Sequence, residues 1–120
     1  MRMVVAYIYE TAFEPIRAEL LGLGCDSLAI TAVNGSGQGV GATMHYRGAT
    51  LTNHLRPKGK LECMVPAEDV STIVDTVLKH VHDASASDDP VFVVPVEAYR
   101  RQTREAAELP LRAEYAAALA

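Results

Sequence analysis

Tryptophan is absent from this 120-residue chain, cysteine occurs only twice, and no Asp or Glu lies anywhere between Gly35 and Leu61. Each scarcity excludes something. Cys25 and Cys63 are far apart and not in a C-x-x-C spacing, so neither a disulfide framework nor a redox dithiol motif is legible. They are expected as two buried or half-buried free thiols in a reducing cytosol. No apolar run approaches membrane-spanning length and no apolar N-terminal region precedes a cleavage site, so a cytoplasmic protein without membrane insertion is expected. The Asn34-Gly35-Ser36 sequon is then accidental. With 11 basic against 15 acidic residues, the net charge of −4 argues against general nucleic-acid binding but leaves room for a local basic pocket.

What is present is ordinary soluble-domain material, 49% hydrophobic and 22% charged, enough for one domain over residues 1–120. The acid-free stretch is the exception. It opens with glycines at alternate positions (Gly35, Gly37, Gly39, Gly41) and carries Arg47, Arg56, Lys58 and Lys60. We expect a long loop without a helix of its own, hung between two strands and suited to anions.

Around it the chain reads simply. Met3–Tyr9 is β-branched and aromatic, a buried strand. Thr11-x-x-Glu14 matches a capping box, with Phe13, Ile16, Leu20 and Leu23 at helical spacing, although Pro15 favours a later helix start. Gly22 and Gly24 end that helix, and Ser27–Val33 is a second strand. Lys60–Val65 alternates as a strand with two different faces. Val70, Ile73, Val74, Val77, Leu78 and Val81 form the cleanest amphipathic helix, and Val91–Val96 is a last strand with Pro95 at an edge or bend. Past Pro110, LRAEYAAALA suits a short peripheral helix. The order β-α-β-loop-β-α-β is the split βαβ, ferredoxin-like arrangement of the α+β class. Its helices cover one sheet face only, so another copy of the chain is expected over the other.

Candidate chemistry centres on the glycines. Backbone amides without a neighbouring Cβ can approach a phosphate closely, though the same composition also suits a merely flexible loop. Neither a Walker motif nor a dinucleotide fingerprint fits, for lack of a Gly-Lys-Ser/Thr and of an immediate helix. Arg56, Lys58 and Lys60 return at the far end of the loop, and Arg100, Arg101 and Arg104 form a second basic cluster. Together these suit an oligophosphate gripped from several sides. Glu62 is expected to bind ligand or to pair with Lys58 and Lys60. His80 and His82 do not share a helix face, and His45 and His54 read as surface loop residues.

The sequences Thr31-Ala32-Val33-Asn34-Gly35-Ser36-Gly37, Tyr46-Arg47-Gly48-Ala49 and Pro57-Lys58-Gly59-Lys60-Leu61-Glu62 resemble those of the PII signal-transduction proteins, from Met1 to about Arg104. The resemblance implies a homotrimeric regulator, not an enzyme. An adenine nucleotide would lie in each cleft between neighbours, with a T-loop (about 36–58) that changes shape to engage a protein target. Carried over, Gly35, Ser36, Gly37 and Gln38 would meet the phosphates. Ala29, Glu62 and Met64 would line the adenine and ribose side. Asp88 and Asp89 would come from the second loop, and Arg101 and Arg104 from the C-terminal segment, Arg101 from an adjacent subunit. The tail, about 105–120, has no assigned role.

Departures from the family pattern narrow this. Leu51 stands where uridylylated members have tyrosine, so that modification is excluded there. Gly39 replaces the glutamine that helps hold magnesium and 2-oxoglutarate. Ser87-Asp88-Asp89-Pro90 replaces Gly-Asp-Gly-Lys, and Thr103 stands for a phosphate-binding arginine. That moves the pocket about three charge units away from a triphosphate, at roughly 1–3 kcal/mol for each charge-assisted contact. ADP or AMP is therefore expected over Mg-ATP, and 2-oxoglutarate sensing is not. Bicarbonate or another small anion, held by Gly39, Val40, Gly41 and Lys58, is the expected co-effector, as in carboxysome- and transporter-linked branches of the group. Two alternatives stay open: a slow ATPase centred on Glu62 and Lys58, and a metal-responsive trimer using His45, His54 and the thiols. No metal or covalent cofactor is expected on the primary reading.

Overall fold

The computed structural model describes residues 1–25, 27–35, 42–53, 55–81 and 90–120. Its elements run β1 (Arg2–Ile8), α1 (Glu10–Gly22), β2 (Leu28–Gly35), β3 (Ala42–Tyr46), β4 (Ala49–Asn53), β5 (Arg56–Val65), α2 (Val70–Val81), β6 (Val91–Pro95), α3 (Arg104–Glu108) and α4 (Ala113–Leu119). The main sheet has the order β2-β5-β1-β6, with every neighbouring pair antiparallel. Helices α1 and α2 each cross between two strands separated by a third, which is the ferredoxin-like α+β topology.

Directly opposed residues in an antiparallel pair share a face, so the register assigns both faces of the sheet. Val4 pairs with Cys63 and Ala6 with Leu61, and these residues form one buried core with Ile16 and Leu20 of α1 and Ile73 and Val77 of α2. Met3, Val5, Tyr7, Glu62, Met64, Phe92 and Val94 lie on the opposite face. Leu78 and Leu23, expected on the apolar helix faces, are about half exposed. The helices stand over the central strands β5 and β1 and leave their own flanks in solvent.

Three local expectations need correction. α1 starts at Glu10 with Tyr9 as its cap residue and no side-chain cap, so Thr11 does not open it. Pro15 sits inside the helix on its exposed side, where water can satisfy the carbonyl left without an amide partner. The long connection is not one irregular loop. Arg47 (φ 50°) and Gly48 (φ 79°) both adopt the left-handed conformation between Tyr46 and Ala49, which are paired. Two successive positive φ angles match the right-handed twist of the flanking strands, so β3 and β4 close as a hairpin. Finally, β5 begins at Arg56, four residues before the expected start, because Arg56–Gly59 pair with Ala32–Gly35 of β2.

Helix α1 ends in a Schellman motif. The Gly24 amide donates to Leu21 O (3.0 Å) and the Cys25 amide to Leu20 O (2.9 Å), with Gly24 at φ 84°. That turn sends Cys25 back into the core. Across the helix pair, Glu19 Oε1 accepts from Lys79 Nζ at 2.9 Å and lies 3.0 Å from His80 Nε2. The hydrogen bond from Lys79 first, and then His80 beside it, hold the Glu19 carboxyl below its ordinary value.

Candidate functional site

At the end of the sheet where β2 runs out and β5 begins lies a recess of about 380 Å³ lined by Tyr7, Val33, Asn34, Gly35, Lys58 and Pro90. Two of the expected ligand residues, Gly35 and Lys58, meet here. Lys58 is only 3% exposed, although it sits on the sheet face without helices. Its ammonium stands 5.3 Å from the centre of the Tyr9 ring, within cation–π range. Its stem is packed so close to Gly35 that a Cβ there would lie 3.0 Å from Cδ and 3.2 Å from Cε. Glycine at 35 thus leaves the lysine stem its room. Among the described lining residues, Lys58 supplies the only cation. Pro90 contributes an apolar wall where a lysine would complete the family pattern.

Further along the same face, Ala29 pairs with Glu62, and Met64 follows two residues on. They line one continuous strip with Lys58 and Lys60. Among the described residues Glu62 makes no ion pair, so the expected bridge to Lys58 or Lys60 does not form. Lys58 and Glu62 are four residues apart along β5, about 13 Å. The two groups of the ATPase reading thus stand on one strand and one face, four positions apart.

The second basic cluster does not join the first. Arg101 lines a larger recess of about 790 Å³ at the other end of the sheet, together with Met1, Cys25, Ser27, Met64 and Tyr99. From Lys58 to Met64 is six residues of strand, about 20 Å. Within one chain, then, Arg101 and Lys58 flank opposite ends of the Ala29–Glu62–Met64 strip rather than one phosphate. Arg100 donates to Leu109 O (3.2 Å) and Pro110 O (2.6 Å), holding the tail. Arg104 opens α3 and is exposed, and Thr103 Oγ1 caps that helix by accepting the Ala106 amide at 3.1 Å. The threonine that departs from the family pattern has a structural task.

Ser36, Gly37, Gln38, Gly39, Val40, Gly41, Asp88 and Asp89 lie outside the described residues, as does His54. Sequence reasoning missed Tyr9, Tyr7 and Asn34. The signal was present in part: alternation along Met3–Tyr9 puts both tyrosines on the face that carries the odd-numbered positions.

An α+β, ferredoxin-like fold with an anion-suited recess beside Gly35 agrees with what comparison finds. The family model described as "Nitrogen regulatory protein P-II" matches residues 1–105. A "Nitrogen regulatory protein P-II 2" of Methanothermobacter thermautotrophicus is 34% identical over 97 residues, covering 81% of this chain and 84% of that protein. "Nitrogen regulatory protein P-II 1" of Escherichia coli is 32% identical over 96 residues, 80% of this chain and 86% of its own length. The Haemophilus influenzae "Nitrogen regulatory protein P-II" is 33% identical over 106 residues, 88% and 95% respectively. The chain belongs to the P-II family of signalling proteins. Among the described residues no helix is long and apolar enough to cross a membrane.

Proposed function

We propose that this protein is a homotrimeric, non-enzymatic regulator that binds an adenine nucleotide between neighbouring copies and signals through the β3–β4 hairpin and its flanks. The observation that carries the reading is the division of its basic groups. Lys58, buried against Tyr9 behind Gly35, stands at one end of an uncovered strip containing Ala29, Glu62 and Met64, and Arg101 stands at the other. A phosphate held at Lys58 would be joined by Arg101 only from an adjacent subunit. The apolar members of the same face that stay at least partly exposed, Met3, Phe92 and Val94, supply the surface such a neighbour would cover.

ADP or AMP is the preferred ligand over Mg-ATP. The recess has one lysine and a proline in place of a second, and at the far end of the sheet Thr103 caps α3 where the family pattern has an arginine. Bicarbonate or a similar small anion is the co-effector that Lys58 would hold beside the nucleotide. The regulated partner is a transporter, an enzyme or a carboxysome-related protein. Sedimentation combined with calorimetric titration of AMP, ADP and ATP, each with and without bicarbonate, tests this. Three-copy assemblies binding one ADP per chain are expected. A monomer, or a trimer indifferent to all three nucleotides, rejects the proposal.

A further inference from the structure

We propose that Cys25 and Cys63 form a peroxide-sensitive dithiol that closes to an intramolecular disulfide, with Cys25 as the attacking thiol and Cys63 as the resolving one. Nothing in this depends on the nucleotide reading.

The placement follows from three independent restraints. The Schellman turn at Gly24 folds Cys25 back against Leu20, and the Ser27 hydroxyl donates to Met64 O at 3.0 Å. The α1–β2 connection is therefore pinned to α1 through the Cys25 amide and to β5 two residues later. In the ladder, Leu28 pairs with Cys63, and the side chain of Cys63 points to the helix side. Both sulfurs consequently belong to the same buried cluster, and the two thiols are within hydrogen-bonding contact of each other.

Their surroundings differ in the way the two roles require. Cys25 lines the recess of about 790 Å³ beside Ser27, Tyr99 and Arg101. Cys63 is 1% exposed and does not reach that recess. Burial, and then the nearby Cys25, push the Cys63 thiol up to about 12, so its proton stays in place at neutral pH. The sulfur that meets solvent-borne oxidant is Cys25, and the protonated sulfur waits behind it.

The steps balance with hydrogen peroxide as oxidant. The Cys25 thiolate attacks one peroxide oxygen, the O–O bond breaks, and hydroxide leaves, giving a sulfenic acid. Cys63 sulfur then attacks Cys25 sulfur and the S–O bond breaks. The departing hydroxide takes the Cys63 proton as water. Overall two thiols and one peroxide give one disulfide and two waters. The product ties the α1–β2 connection to the strand whose opposite face carries Glu62 and Met64.

Treating the native protein with hydrogen peroxide, then mapping peptides without reduction, tests the pair. A cross-linked peptide containing both cysteines, a loss of two hydrogens in mass and a thermal midpoint raised by several degrees, all reversed by dithiothreitol, are expected. In Cys63→Ser, a sulfenic-acid trap such as dimedone should label Cys25; in Cys25→Ser, Cys63 should remain unlabelled. A native protein that stays reduced, that stops at a sulfinic acid on Cys25, or that forms only intermolecular disulfides would overturn the assignment. So would labelling of Cys63 in Cys25→Ser. Should either variant fail to fold, the peptide map of the native chain decides.

Discussion

Lys58 and Tyr9 form a cation–π pair, 5.3 Å from ammonium to ring centre, at the mouth of the recess bounded by Gly35 and Pro90. Tyr9 follows β1 and Lys58 lies near the start of β5, so the pair extends the β1–β5 ladder one step beyond the Ile8–Gly59 pairing. The aromatic face gives the lysine stem a fixed position beside the recess.

Replacing Lys58 with methionine keeps the length of the stem and removes the charge. Nucleotide affinity should fall about 10-fold to 100-fold, the worth of one charge-assisted hydrogen bond. Far-UV circular dichroism should be unchanged. Calorimetric titration with ADP measures the loss, and unaltered affinity would remove Lys58 from the binding account.

Gly35→Ala tests the path of the lysine rather than its charge. A methyl group at 35 would crowd the Lys58 stem, whose Cδ and Cε lie 3.0 and 3.2 Å from that position. The backbone of residue 35 is not in the left-handed region, so the fold should hold and the thermal midpoint should move little. Affinity for ADP should drop by about the same order as in Lys58→Met, because the ammonium is displaced. A double variant showing no further loss would establish that the two act together.

The hairpin turn makes a separate prediction. Gly48 has φ 79° and open space around it, so an alanine there meets no clash but must adopt a conformation costing about 1–2 kcal/mol. Gly48→Ala should accelerate amide hydrogen exchange in Ala42–Asn53 by about 5-fold to 30-fold and leave exchange in β1 and β5 unchanged. Equal acceleration throughout the sheet would mean that the hairpin is not an independent unit.

Glu19 predicts a pH dependence. Lys79 first, then His80, lower its carboxyl pKa from the ordinary 4.5. A lowered folded-state value means stabilisation that is present above about pH 4.5 and lost as pH falls through the folded value. Glu19→Gln should therefore lower the thermal midpoint slightly at pH 7 and by progressively less as pH falls below 4.5, and the difference should shrink in high salt. A gap between the two proteins that widens toward acid would contradict this assignment of the tie.

Most of the architecture was legible because its signals are local. Alternation in Leu61, Cys63 and Val65 against Lys60, Glu62 and Met64 marked the two faces of β5, and the structure buries the first set. The periodicity of Val70–Val77 likewise marked the inner face of α2. The hairpin was obscured because Arg47-Gly48 is a weaker turn signal than Asn-Gly, and the glycines before it suggested irregular chain. Pro15 misled because its cost depends on which side of the helix faces water, and spacing does not show that.

The site divides along the same line. Glycine, lysine and the Pro57–Glu62 segment announced an anion near Gly35 from the order of residues alone, since backbone exposure and charge are properties of the residues themselves. Where each charge stands was decided by the ladder. Antiparallel pairing sets Lys58 and Met64 six positions apart along β5, which separates Lys58 from Arg101 within a chain. The same pairing, with the turn at Gly24, brings together two cysteines that the sequence holds far apart.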